Sequence, residues 1–136
     1  MASTIYHFNN QLLNGNTVKL FKGTDDILNG EQTRDFVYVD DCANINLWFF
    51  DNPEKHFSGI YNIGTGESRS FNDVASLVIS WHKKGSIEYI EFPSHLKKSY
   101  QNYTKANLNK LRSIGCDIEI RRIEDGIPTY LNQLNQ

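Results

Sequence analysis

A chain of 136 residues, 39% hydrophobic and 22% charged, has the size and composition of one globular domain that buries about two thirds of its unfolded surface. Its formal charge of -2 at pH 7 excludes a general attraction to nucleic acid or anionic membrane, and no apolar run is long enough to span a bilayer. Cys42 and Cys116 stand far apart without CxxC or zinc spacing, and no basic-apolar-small leader opens the chain, so the expected setting is reducing and cytoplasmic, with free thiols.

In chain order, Ile5, Phe8 and Leu12 fall at helical spacing, which predicts an amphipathic helix over 2–13 that Asn14-Gly15-Asn16 stops. Ser3 and His7 share a face of it. By residue type alone His7 is a surface or satisfied core histidine. Val18 to Phe21 reads as a short strand entering the turn Lys22-Gly23-Thr24, followed by a polar loop over 25–33. Arg34 comes next. A guanidinium can hold phosphate oxygens in a bidentate fork, although an ion pair with Asp35 or Asp40 is the simpler expectation.

Phe36-Val37-Tyr38-Val39 is β-branched and aromatic and reads as a strand, with Asp40-Asp41 as the N-cap of a helix carrying Cys42, Ile45, Trp48 and Phe49. Asn52-Pro53 closes that helix. Gly59 to Ile63 predicts a further strand ending in the turn Gly64-Thr65-Gly66. Ser70 and Asp73 form a capping box for a helix over 71–82, which Lys83-Lys84 suit electrostatically and Gly85 stops. The alternation over 87–92 predicts a half-buried strand, ended by Pro93.

The segment 94–103 is basic and aromatic, with His95, Lys97, Lys98, Tyr100 and Tyr103; a run this short on an acidic chain does not make a nucleic-acid surface. Thr104 is expected to cap a helix through Leu111 that Gly115 ends. A last helix begins at Ile123, with Pro128 near its first turn. Strand, helix, strand, glycine turn, helix is the order of an α/β sheet, and without repeats or linkers residues 1–136 form one unit.

No catalytic constellation emerges. Gly64-Thr65-Gly66 matches the start of a dinucleotide fingerprint, but the third glycine is missing and no acid ends a matching second strand, which rules it out as a complete NADP site. Tyr6, Tyr38, Tyr61, Tyr89, Tyr100, Tyr103 and Tyr130 each lack a lysine four residues on, so no YxxxK pair is present. Neither a hydrolase triad, a metal-ligand box nor a phosphate loop takes its place.

RDFVYVDD (Arg34 to Asp41) followed by YNIGTG (Tyr61 to Gly66) resembles the C-terminal half of the extended short-chain dehydrogenase/reductase family of nucleotide-sugar epimerases and dehydratases. WHKKGSIEYIEFPSHLKKSYQNYT (Trp81 to Thr104) is similar to the heptose epimerases of lipopolysaccharide synthesis within it. The resemblance runs from Ala2 to about Leu134 and implies the substrate-binding C-terminal part of a Rossmann-type fold, with the N-terminal nucleotide-binding half absent. It implies an ADP-sugar substrate inverted through NADP redox chemistry, and substrate contacts from His7, Phe21, Lys22, Gly23, Thr24, Arg34 and Tyr100. The loop before Arg34 is longer than the family's usual connection.

The family's proton-transfer tyrosine and lysine, and a further lysine upstream of the first helix, have no counterpart here, so the implied fragment supplies contacts and no chemistry alone. Implied partners are a separate N-terminal half and, in the full-length family, further copies of the chain. Packing surface left uncovered predicts self-association. A non-catalytic nucleotide-sugar binding or assembly module, or part of another nucleotide-sugar epimerase or dehydratase, stands as the alternative.

Overall fold

The computed structural model describes residues 3–24, 26–53, 58–94 and 100–136. Helix α1 spans Thr4–Asn14, and the Ser3 hydroxyl caps it by accepting from the Tyr6 amide at 3.1 Å. Strand β1, Thr17–Phe21, runs parallel to β4, Ser86–Ile90, pairing Thr17 with Ser86 through to Phe21 with Ile90. Parallel neighbours require a long crossover. Here it carries β2 (Thr33–Arg34), α2 (Val39–Asp51), β3 (Arg69–Ser70) and α3 (Phe71–His82), and β2 pairs antiparallel with β3. Short α4, Asn109–Ser113, and α5, Ile123–Leu134, complete the α/β fold.

Two hydrophobic centres result. Phe8 and Leu12 of α1, Val18 and Leu20 of β1, Val74 and Val78 of α3, and Ile127 and Leu131 of α5 form the first. The second gathers Ile45 of α2, Leu111 of α4 and Cys116, with Trp48, Phe49, Tyr61 and Ile63 packed around them. Cys42 and Cys116 are both free thiols, as their spacing predicts. No described helix is long and apolar enough to cross a membrane.

The capping box at Ser70 and Asp73 is complete: the Ser70 hydroxyl accepts the Asp73 amide at 3.0 Å, and the Asp73 carboxylate accepts the Ser70 amide at 3.1 Å. Other expectations need correction. Phe36 to Val39 and Gly59 to Ile63 are not strands among the described residues. A strand needs a neighbour to pair with, and neither segment has one there. Tyr38 stays extended (φ -80, ψ 138) and becomes the N-cap of α2, displacing Asp40-Asp41 into the first turn. That position still suits their charge. Asp41, 2% exposed, accepts the Arg121 amide at 2.8 Å and pairs with its guanidinium at 3.6 Å, fastening α2 to the chain before α5.

Lys83, at φ 55, caps α3 in place of Gly85. Pro128 lies inside α5, beyond the first turn, so its missing N–H leaves the helix one bond short. Thr104 caps no helix; α4 starts only at Asn109. His95, Lys97 and Lys98 lie outside the described residues.

Thr104 instead joins a clasp around Asp35. Its hydroxyl accepts the Asp35 amide at 3.1 Å. The Asp35 carboxylate accepts from the Thr65 amide (2.7 Å), the Thr65 hydroxyl (2.6 Å), the Gly66 amide (2.9 Å) and the Ala106 amide (2.9 Å). Burial works to raise the pKa of Asp35, but these bonds together outweigh it and hold the carboxyl below its ordinary 3.8. The stabilisation is therefore complete above 3.8 and lost as pH falls through the lower folded value.

We expect Asp35→Ala to cost about 3 kcal/mol at neutral pH. Denaturant titrations across pH should find the gap from the unaltered chain closing as the carboxyl protonates; a gap independent of pH would refute the clasp. A second expectation concerns α2, where Val39 (66% exposed), Leu47 and Phe50 (79% exposed) share one face by their spacing. Sedimentation should detect self-association of the chain that the double change Leu47→Glu, Phe50→Glu abolishes.

Candidate functional site

The end of β1, the inward face of α1 and the start of α3 enclose a cavity of about 230 Å³ lined by Thr4, His7, Phe8, Gln11, Lys19, Leu20, Phe21, Gln32, Phe71 and Tyr100. Three sequence-predicted residues, His7, Phe21 and Tyr100, therefore share one wall system. His7 is exposed and meets the Tyr6 ring edge-on at 5.8 Å. Phe21 and Tyr100 meet at 6.4 Å with their planes at 80°, and Phe92 packs against both, at 5.0 and 4.9 Å.

Arg34 lies beside this cavity. Its guanidinium carbon stands 5.0 Å from the Tyr100 ring and 6.0 Å from the Phe71 ring, and Nη1 donates to the Thr33 carbonyl at 2.8 Å. The expected ion pair with Asp35 or Asp40 is not formed: Asp35 is occupied by the clasp, and Asp40 faces Arg121 at 3.9 Å. Among the described residues no carboxylate lies within ion-pair distance of Arg34, whereas Arg69, Arg121 and Arg122 each have one. A half-buried cation stacked on an aromatic ring and lacking a counter-charge is suited to receive an anion.

Lys22, Gly23 and Thr24 have different surroundings. Lys22 Nζ pairs with Glu91, the Gly23 amide donates to Asn29 Oδ1 at 2.9 Å, and the Thr24 carbonyl accepts the Ile27 amide at 3.1 Å. A Cβ on Gly23 would fall 1.7 Å from the Ile27 carbonyl oxygen, so the turn itself requires glycine. These three residues shape the loop beside the cavity without lining it.

Sequence reasoning missed Gln11, Gln32 and Phe71. Gln11 was within reach, since it follows His7 by one helical turn on the same face. Gln32, in a polar loop, carried no signal. It is buried only because the loop folds back onto α3, where the Gln32 carbonyl accepts the Phe71 amide at 3.2 Å.

Two comparisons of sequence follow this geometry. The model of the NAD dependent epimerase/dehydratase family matches residues 1–64. The ADP-L-glycero-D-manno-heptose-6-epimerase of Alkalilimnicola ehrlichii is 52% identical over 132 residues, which are 97% of this chain and 41% of that protein. The chain resembles a part of an epimerase/dehydratase family protein.

Solved structures of epimerases share its fold. The ADP-L-glycero-D-manno-heptose-6-epimerase of Helicobacter pylori superposes with a TM-score of 0.76 at 26% identity, covering 98% of this chain and 37% of that one. A UDP-N-acetylglucosamine 4-epimerase from Methanobrevibacter ruminantium, solved with UDP-N-acetylmuramic acid, gives 0.78 at 20% identity over 98% of this chain and 39% of that one, a likeness of fold alone. The Thermus thermophilus UDP-glucose 4-epimerase, solved with NAD, gives 0.72 at 25% identity over 95% and 39%. This chain thus spans about two fifths of the length of the relatives it matches.

The described residues do not fit a nicotinamide dinucleotide. The glycine turn most like a pyrophosphate cradle directs its Thr65 and Gly66 amides onto the Asp35 carboxylate, which already serves as their anion. No group of three or more His, Cys, Asp or Glu suited to a metal occurs among the described residues.

Burial raises the Tyr100 pKa above 10.0, and the nearby Arg34 charge partly offsets that rise. Arg34→Met should therefore raise it further. NMR titration of the Tyr100 ring is the measurement, and an unchanged or lower value would contradict the stacking.

Proposed function

We propose that this chain supplies the nucleotide-sugar-binding share of an ADP-glyceromanno-heptose 6-epimerase of lipopolysaccharide core synthesis. The observation that carries the reading is Arg34, a cation without a carboxylate partner among the described residues, stacked on Tyr100 at the edge of the His7, Phe21 and Tyr100 cavity. Arg34 would grip the diphosphate, and the aromatic walls would take a flat or apolar part of the same molecule. Lys22, Gly23 and Thr24 would border it from the loop after β1. Identity of 52% to a heptose epimerase over nearly the whole chain supports ADP-heptose as the substrate.

Inversion at C6 would use NADP, a carrier of hydride in such enzymes. Because the residues here do not fit that cofactor, it would be held by an N-terminal half, on the same or a separate polypeptide, and the assembled enzyme would be a cytoplasmic homo-oligomer. No catalytic residue is assigned to this chain. The commitment of the Thr65 and Gly66 amides to Asp35 also favours a second reading, a non-catalytic module that binds nucleotide-sugars. Native mass spectrometry from the source cell separates the two. A complex with a nucleotide-fold polypeptide supports the epimerase, and the chain alone or with its own copies supports the module.

Isothermal titration of the chain with ADP tests the shared site. We expect binding that Arg34→Met weakens about 10- to 100-fold, the worth of one charge-assisted hydrogen-bonded grip, with Arg34→Lys between the two. Failure of ADP to bind, or turnover of ADP-heptose by this chain with NADP and nothing else, would refute the proposal.

A further inference from the structure

We propose that Gln32 reads the base of the bound nucleotide through its side-chain oxygen, an inference that rests on the nucleotide-sugar reading of the cavity. Gln32 lines that cavity although it is only 1% exposed. A buried amide must satisfy both of its ends. Its Nε2 donates to the Lys22 carbonyl at 3.1 Å. A carbonyl only accepts, so the atom facing it is the NH2 group and the orientation of the amide is fixed.

The oxygen end is different. Among the described residues no protein donor is bonded to Oε1. No fully enclosed side-chain polar atom there lacks a partner, so Oε1 is not sealed in the interior, and the cavity is the space that Gln32 lines. The backbone holds it in place. The Gln32 carbonyl accepts the Phe71 amide at 3.2 Å, and the Gly30 amide two residues earlier donates to the Phe21 carbonyl at 3.1 Å. The result is an acceptor preorganised between the end of β1 and the start of α3.

The surroundings specify the group it accepts from. Phe21, Phe71 and Tyr100 provide aromatic walls suited to a flat ring, and Arg34 beside Tyr100 provides the charge suited to phosphates. A nucleotide with its phosphates at Arg34 therefore has its base inside. Gln11 makes the opposite commitment to Gln32: its Oε1 accepts the Lys19 amide at 2.9 Å, which leaves its NH2 end as a donor on the same cavity. Acceptor and donor together match the exocyclic amino group and adjacent ring nitrogen of adenine. The 6-oxo group of hypoxanthine would instead set oxygen against the Gln32 oxygen.

ADP and IDP carry the same phosphates and differ at this edge of the base, so calorimetric titration of the whole chain with each is the test. We expect a five- to tenfold preference for ADP, about the worth of one net hydrogen bond. Gln32→Met, similar in volume, should bind the two alike, and the Gln32 side-chain amide resonance of the unaltered chain should shift with ADP and not with IDP. The resonance measurement and the ADP/IDP comparison both stand without the variant should it fail to fold. Equal binding of ADP and IDP, or a preference that survives Gln32→Met, overturns the role of Gln32 and leaves the site. No ADP binding overturns both.

Discussion

The carboxylate of Asp35 is the constraint on which the rest of the arrangement depends. It gathers amides from the turn at Thr65 and Gly66 and from Ala106, segments otherwise separated by α3 and β4 in the chain. A charged acceptor with several aligned donors is worth more than the same number of neutral bonds in a half-buried place. The approach is close enough that a Cβ on Gly64 would fall 2.7 Å from Asp35 Oδ2 and 2.6 Å from the Ala106 Cβ.

The same clasp fixes the backbone of the neighbouring residue, Arg34. Asp35 might have been its counter-ion, but its oxygens are consumed by amides, so the guanidinium is left facing an aromatic ring. Arg121 has the opposite fate, held over the Tyr38 ring at 4.7 Å and also matched by Asp41. The two stacked arginines differ in what remains available to a ligand. Arg121 is matched by carboxylates, whereas Arg34 has none among the described residues. The clasp also commits the amides of the glycine turn, which are not available to a phosphate.

Local signals survived folding where local physics sufficed. Ser70 and Asp73 satisfy one another's amides within a single turn, so their spacing alone foretold the cap. The apolar spacing of Phe8 and Leu12, and of Val74 and Val78, placed α1 and α3 against the first centre as their periodicity required. Phe36 to Val39 went the other way. Its composition is that of a strand and its backbone at Tyr38 is extended, but strand pairing is a property of two segments, and no described neighbour runs beside it. Thr104 was misread for a related reason: a hydroxyl that caps helices bonds equally well to a distant amide, and Asp35 supplied one.

The candidate site divides along the same line. His7, Phe21, Arg34 and Tyr100 were singled out through the family resemblance, since by residue type alone His7 reads as an ordinary histidine and Arg34 as an ion-pair partner; the structure groups His7, Phe21 and Tyr100 at one cavity with Arg34 beside it. Gln32 was not legible, because nothing in a polar loop says that one amide will be buried with its nitrogen tied to the Lys22 carbonyl. By itself the sequence determined the α/β class, the helices with their own caps and the resemblance to nucleotide-sugar epimerases. Only the tertiary structure decided that Asp35 would hold the glycine turn, that Arg34 would have no carboxylate partner among the described residues, and that Gln11 and Gln32 would line one cavity. Helical periodicity and capping act over a few residues, whereas charge pairing and burial depend on segments that meet only after the chain has folded.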